Sequence, residues 1–165
     1  MLRKLVLSFS FFGSILMFWG CPYSSKVQLG NPVEAIIPEL LGSWSPAEEI
    51  SSEFPSYYAL TELDSVHYQI VHNQYNNDEQ EYTPLEYVGH TTKIGEVTFL
   101  NVDQSENDTF LLYRIEISRG EIVLYEVTDN IDEEFQSTEE MHKFFAKNMN
   151  SSFFYNKDEV KLIKQ

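Results

Sequence analysis

Residues 109–128 read TFLLYRIEISRGEIVLYEVT, and this stretch decides the class of fold. Apolar and polar side chains alternate over Thr109–Ser118, which is the two-residue period of a strand with one buried face. The apolar face carries Leu111, Tyr113, Ile115 and Ile117, and the other carries Arg114, Glu116 and Ser118. Arg119 and Gly120 form a two-residue turn into Glu121–Thr128 (EIVLYEVT), so the stretch predicts an antiparallel hairpin.

Four more runs of this kind precede the hairpin. They are rich in β-branched and aromatic residues and are predicted as strands at Tyr57–Leu63, Val66–His72, Leu85–Thr92 and Glu96–Val102. Asp64 with Ser65, and Gly95, mark tight turns between neighbouring strands. Asn73–Glu81 (NQYNNDEQE) is predicted as a polar loop or hairpin tip. Short strands joined by short turns favour an antiparallel meander.

One amphipathic helix is predicted near the C-terminus, over Thr138–Met149. Ser137 and Glu140 have the spacing of a capping box. One face of this helix is apolar and is expected to dock on the sheet through Met141, Phe144, Phe145 and Met149. Ser152–Tyr155 and Val160–Ile163 are predicted as last strands. The fold class is therefore mainly β, with a meander forming a barrel or half-barrel, in one domain over residues 38–165.

Leu40–Trp44 (LLGSW) introduces the first strand of this domain. The G-x-W spacing of Gly42 and Trp44 resembles the first motif of lipocalin-like barrels, and Thr128 with Asp129 resembles part of the second. The resemblance implies that Trp44 packs across a closed end of the barrel and that Gly42 allows close approach of the chain. The alternative is that Trp44 is an ordinary core aromatic.

The N-terminus has the layout of a secretory signal peptide over residues 1–20. Arg3 and Lys4 precede an apolar run, Leu5–Trp19, and Gly20 and Cys21 follow it. The run is shorter than the roughly 20 residues that a membrane-spanning helix needs. Two alternatives to a lipoprotein signal are an ordinary secretory signal and an uncleaved membrane anchor.

Cys21 is the only cysteine, so it has no partner for an internal disulfide. Residues 18–21 (FWGC) resemble the cleavage box of bacterial lipoproteins, although that family prefers Leu and a small residue where this chain has Phe18 and Trp19. The resemblance implies that Cys21 becomes the lipidated N-terminus, held in a membrane by several acyl chains.

Residues 21–25 (CPYSS) and 40–44 (LLGSW) resemble the start of small bacterial lipoproteins of unknown function. Residues 21–37 are predicted as lipidated Cys and extended leader, in the bacterial cell envelope, with the outer membrane favoured if there are two.

Charge excludes one class of partner. Loss of residues 1–20 removes Arg3 and Lys4 but no acidic residue, so nine basic and 26 acidic residues remain and the net charge is −17. Such a surface repels phosphate backbones, so nucleic-acid binding is discarded. The acyl chains, rather than electrostatic attraction, are expected to hold the chain on the membrane.

Metal binding, cofactors and catalysis find little support in the sequence. His67 and His72 are five residues apart on one strand, and therefore on opposite faces. Two acidic groups, Asp103–Asp108 and Asp129–Glu134, are interpreted as a hairpin tip and as charge beside a helix N-terminus. The first resembles a calcium loop through Asp103, Ser105, Asn107 and Asp108, and the second contains Asp129, Asp132, Glu133 and Glu134. No cofactor is predicted and the protein is predicted not to be an enzyme.

Aromatic residues suggest where binding occurs, since ten Tyr and twelve Phe exceed the needs of a small barrel core. The candidates for a ligand or partner surface are Tyr57, Tyr58, Tyr68, Tyr82, Tyr87 and Tyr113, with cross-strand packing as the alternative. Two functions follow as hypotheses: a membrane-tethered module that binds an envelope protein partner, and a lipocalin-like carrier of a small apolar ligand. An envelope hydrolase would need a convergent polar cluster in a cleft.

Overall fold

The computed structural model describes residues 23–104 and 107–165. Over these residues the chain forms nine strands, an α-helix and a short 3-10 helix. The strands are β1 (Ser24–Ser25), β2 (Gly42–Pro46), β3 (Tyr57–Glu62), β4 (His67–Asn76), β5 (Glu81–Ile94), β6 (Val97–Gln104), β7 (Thr109–Ser118), β8 (Glu121–Glu126) and β9 (Val160–Lys164). The 3-10 helix is Pro38–Leu40 and the α-helix is α1 (Thr138–Asn148). No helix in this part of the chain has the length and apolar character to cross a membrane.

Strands β2 to β9 form a closed antiparallel barrel. Each strand pairs with the next along the chain, and β9 pairs with both β8 and β2, which closes the ring. The two-residue strand β1 lies outside the ring and pairs with β7. The prediction of a mainly β fold with one helix near the C-terminus is confirmed, and the sheet is a full barrel rather than a half-barrel.

The hairpin that the alternation predicted is β7–β8. Ser118 pairs with Glu121, and Gly120 has a φ of +78°, a conformation that glycine adopts without strain. The predicted apolar face points into the barrel, where Ile115 is buried and packs in the interior cluster. The intervening residue Leu112 is also buried, but on the outer face, because another layer covers it there. The first half of the strand is therefore apolar on both faces, whereas its second half carries Arg114, Glu116 and Ser118 on the outer face.

Two predicted segments differ from the structure. Asn73–Glu81, predicted as a polar loop or hairpin tip, is the tip of the β4–β5 hairpin, but more of it is strand than expected, because β4 continues to Asn76, which pairs with Glu81. Asn76 then accepts hydrogen bonds from the next turn, so its polar side chain stabilises the tip. The predicted strand Ser152–Tyr155 is a turn with one isolated bridge, since Phe154 is drawn into the core beside α1.

The protein has two apolar cores. The first fills the barrel and consists of Leu40, Trp44, Leu60, Tyr68, Ile70, Leu100, Val102, Ile115, Ile122 and Leu162. The second lies between the outer face of β5–β7 and α1, which docks through Met141 and Phe145. Ser137 caps this helix as predicted, its Oγ accepting a hydrogen bond from the Glu140 N–H at 3.2 Å.

Part of the predicted leader packs against the barrel. Tyr23 and Leu29 belong to the outer core, and Leu29 is fully buried. The Leu29 N–H donates to the side chain of Asn101 at 2.8 Å, and Ser24–Ser25 continues the sheet as β1. From Tyr23 onward the segment is therefore a strap on the domain rather than a free spacer, and packing begins before residue 38. We call residues 23–31 the strap.

Candidate functional site

One end of the barrel is closed by the segment before β2. The Ile37 N–H donates to the Tyr68 hydroxyl at 2.7 Å, and the indole N–H of Trp44 donates to the Leu40 carbonyl at 2.9 Å. Trp44 is 1% exposed, and the Lys164 ammonium lies 5.1 Å from the centre of its ring. Gly42 has a φ of +128°, which strongly favours glycine. Gly42 and Trp44 thus lie at the closed end.

The opposite end, at which β3, β5, β7 and β9 begin, is called here the open end. Tyr58, Tyr87 and Tyr113 point inward there, since all three pack against the interior core. Unlike Trp44 and Tyr68, which are buried, they are only partly buried. Interior-facing side chains that remain partly exposed show that this end of the barrel is less completely covered than the other. Eight-stranded barrels have interiors of the size that either side chains or one small ligand can fill.

His72 adds an imidazole to this aromatic lining. It lies beside Tyr58 on the neighbouring strand, with ring centroids 4.2 Å apart and 12° between planes. Burial lowers the pKa of His72, and the nearby Glu49 carboxylate opposes that shift. Glu49 is held in place by Ser56, whose N–H and Oγ donate to the carboxylate at 2.8 and 2.7 Å. The ring is therefore neutral at pH 7.

A second carboxylate lies beside Tyr113 on the neighbouring strand. Glu126 pairs with Tyr113 across β7 and β8, and its Oε2 accepts a hydrogen bond from the Asn156 amide at 2.6 Å. Burial, followed by the charge of Glu126, raises the pKa of Tyr113 well above its ordinary value. Burial and the charge of Glu49 likewise raise the pKa of Tyr58. Both phenols are therefore protonated and able to donate hydrogen bonds.

The structure divides the six predicted tyrosines into three groups. Tyr58, Tyr87 and Tyr113 meet at the open end, and Tyr68 lies deeper in the barrel. Tyr57 and Tyr82 lie on the outer face, with ring centroids 5.3 Å apart. Tyr75 contacts Tyr82 at 5.3 Å and stacks on Phe54 at 4.1 Å, so these four rings form an outer aromatic cluster. It consists of Phe54, Tyr57, Tyr75 and Tyr82.

Sequence reasoning missed the charged members of the open end. Glu126 and Glu49 look like two among many carboxylates in an acidic chain, and no local pattern marks them. His72 was placed on the face opposite His67, as the structure has it, but nothing connected it with the tyrosines. The contact between His72 and the tyrosines depends on the strand register, which places His72 opposite Tyr58 on one side and Leu85 on the other. The sequence alone does not specify that register.

The histidine and acidic side chains that were considered as metal ligands are not brought together in the described part of the chain. His67 and His90 have ring centroids 6.1 Å apart on the outer face, and His67 binds the Asp64 carboxylate at 2.8 Å. Residues 23–104 and 107–165 contain no group of three His, Cys, Asp or Glu side chains that could hold a metal ion. Asp108 is exposed at a hairpin tip with a φ of +52°, and Ser105 lies outside the described residues.

The second acidic group lines a cleft outside the barrel. This cleft has a volume of about 780 Å³ and is bordered by the strap, including Tyr23 and Lys26, and by the chain between β8 and α1. Asp129, Asp132, Glu133 and Glu134 all lie along it. A second cleft of about 570 Å³ lies between the end of the strap and the first turn of α1.

Cys21 and the predicted signal peptide lie outside the residues that the structure describes. Comparisons of this chain with protein-family models, with curated proteins and with solved structures give no match.

Proposed function

We propose that the barrel is a non-enzymatic carrier that holds a small apolar ligand at its open end. The observation that carries this proposal is the contrast between the two ends. Trp44 and Tyr68 are fully buried, whereas Tyr58, Tyr87 and Tyr113 face inward and are only partly buried. Binding sites in proteins are typically concave and lined by aromatic side chains with a few polar groups.

Binding of an apolar fluorescent probe tests the carrier. We expect N-phenyl-1-naphthylamine to bind with enhanced emission and Tyr87→Ala to change its affinity several-fold, because Tyr87 lines the open end. Tyr57→Ala is the matched control, since it removes the same ring from the outer face. Native mass spectrometry of the purified protein then asks whether a natural ligand is retained. Absence of probe binding, or equal effects of the two variants, would contradict the carrier.

The second candidate function is a module that binds a protein partner in the envelope. The outer aromatic cluster favours it, because Phe54 is 44% exposed and stacks on Tyr75 at the surface. Aromatic side chains are enriched in protein interfaces. Crosslinking in intact cells should give a partner band that Phe54→Ala with Tyr75→Ala removes and that Tyr87→Ala leaves. Loss of the band in Tyr87→Ala alone would favour the open end instead.

The proposed location is the bacterial cell envelope, with the chain secreted and anchored by lipid on Cys21. Arg3 and Lys4, the apolar run behind them and the single cysteine support this. Metabolic labelling with palmitate should mark the protein and fail to mark Cys21→Ser. Ser14→Ala, inside the apolar run, is the control and should be labelled like the parent. Equal labelling of Cys21→Ser would contradict the anchor.

A further inference from the structure

We propose that the open end selects an organic cation, and that Glu126 and Glu49 recognise the ammonium group of a small aromatic or aliphatic amine. This inference rests on the proposed carrier function and specifies its ligand further, as a molecule whose apolar body carries one ammonium group. The side chains around the open end include two carboxylates, and these give the site a negative charge that the neutral tyrosines do not provide.

Glu126 and Glu49 lie near the tyrosines of the open end, and neither has a basic partner among the residues that the structure describes. The ion pairs found in residues 23–104 and 107–165 are Asp64–His67, Arg114–Glu116, Glu139–Lys143 and Glu159–Lys161, and neither Glu126 nor Glu49 takes part in one. Glu126 is held by the Asn156 amide and Glu49 by Ser56, all neutral groups. The one imidazole in the lining, His72, is neutral at pH 7. The opening therefore carries negative charge that a ligand can balance.

The tyrosine rings beside these carboxylates suit a cation as well. A cation within about 6 Å of a tyrosine ring is attracted by the ring face, and the attraction grows when water is excluded. Tyr58, Tyr87 and Tyr113 present such rings on the inner face of the barrel, where they are partly buried, and Glu126 is paired with Tyr113 across β7 and β8. An anionic ligand would instead be repelled by two carboxylates. The protonated phenols of Tyr58 and Tyr113 could donate hydrogen bonds to an anion, but they lie beside those carboxylates.

A series of three probes of one shape tests the charge preference. These are 2-phenylethylamine, 2-phenylethanol and phenylacetate, which at pH 7 are a cation, a neutral molecule and an anion. Titrations followed by the backbone amide NMR signals of Tyr87 and Tyr113 give each affinity at the open end. We expect the amine to bind about tenfold more tightly than the alcohol, and phenylacetate most weakly.

Two charge-neutralising variants locate the effect. Glu126→Gln should weaken binding of the amine about three- to tenfold and binding of the alcohol much less, because the ammonium group loses a charged partner whereas the hydroxyl can donate to the Gln oxygen instead. Glu86→Gln is the matched control, since it removes the same charge from the exposed outer face beside Tyr87 and should change neither affinity.

The outcomes separate the two proposals. Equal binding of amine and alcohol at the open end, or an unchanged amine affinity in Glu126→Gln, would overturn the cation preference while the carrier stands. If none of the three probes shifts the signals of Tyr87 or Tyr113, both the cation preference and the carrier fail.

Discussion

Asn101 holds Leu29: the Oδ1 of Asn101 accepts the backbone N–H of Leu29 at 2.8 Å, across 72 residues of chain. The same amide donates to the Thr92 hydroxyl at 3.1 Å, so a single fully buried side chain joins the strap to β5 and β6. Polar groups at such a position are stabilising only when all of them have partners.

Replacing this amide should therefore loosen the strap. Asn101→Ala leaves the Leu29 N–H buried without an acceptor, so we expect the free energy of unfolding to fall by about 1–3 kcal/mol. Urea unfolding followed by tryptophan fluorescence measures it. The exposed Asn107→Ala is the control and should change stability by less than about 0.5 kcal/mol. Equal stability of Asn101→Ala and the parent would show that this attachment of the strap contributes little to the free energy of unfolding.

Close packing at Gly89 makes a second prediction. A Cβ at this position would lie 2.8 Å from the Ile70 Cδ1 and 3.1 Å from the Asn101 carbonyl oxygen. We expect Gly89→Ala to destabilise the barrel by about 1–3 kcal/mol, because the interior must shift to accept the methyl group. Combining it with Ile70→Val removes the nearest atom, so the double variant should lose less than the sum of the two single changes. Strict additivity would contradict this packing.

Protonation of His90 should govern part of the dependence of stability on pH. Burial lowers the pKa of His90, although its Nε2–H donates to the Gly30 carbonyl at 2.8 Å. Below the ordinary histidine pKa of about 6.5, the unfolded chain binds a proton that the folded chain does not, so stability falls as the pH drops. We expect a smaller loss between pH 7.5 and 5.5 in His90→Gln, which keeps a donor for Gly30.

An NMR titration of the His90 ring gives the independent check. Its midpoint should lie below 6.5 in the folded protein, as burial requires. A midpoint at or above 6.5, or the same pH dependence in the parent and His90→Gln, would contradict the assignment. Since His72 also has a lowered pKa, part of the dependence should remain in the variant.

The N-cap of α1 gives a prediction about stability, because the loss of such a cap has a typical energetic cost. Ser137→Ala removes the acceptor of the Glu140 N–H, and such losses typically cost about 1 kcal/mol. Thermal unfolding measures it. Ser137→Asp should retain most of the stability, because a carboxylate accepts the same hydrogen bond and suits the positive end of the helix. Loss of stability in both variants would point to a role other than capping.

Much of the fold could be predicted because its signals are local. Alternation in Thr109–Ser118 and the cap at Ser137 each act over a few residues, and both elements formed where expected. Closure of the barrel is not local, since Trp44 pairs with Lys164 at the far end of the chain. No pattern within either segment specifies that contact.

The candidate site could be predicted only in part, because register decides it. Tyr57 and Tyr58 are adjacent, yet one lies on the outer face and the other in the barrel, as the period of two requires. The sequence identified both as aromatic without separating them. Glu126 became recognisable only after its pairing with Tyr113 was known. The strap was missed because Tyr23 and Leu29 are isolated apolar residues in a polar segment.

The short strand β1 also affects how copies of this protein behave in solution. Strand β8 covers one edge of β7 only from Tyr113 to Ser118, and Ser24 and Ser25 pair with Leu111 and Phe110 beyond it. Without those two residues, backbone N–H and C=O groups of β7 would be left unpaired at an edge, which is a template for adding a strand from another molecule. A chain trimmed to begin at residue 32 is therefore expected to self-associate as its concentration rises, and β1 acts as built-in protection against aggregation.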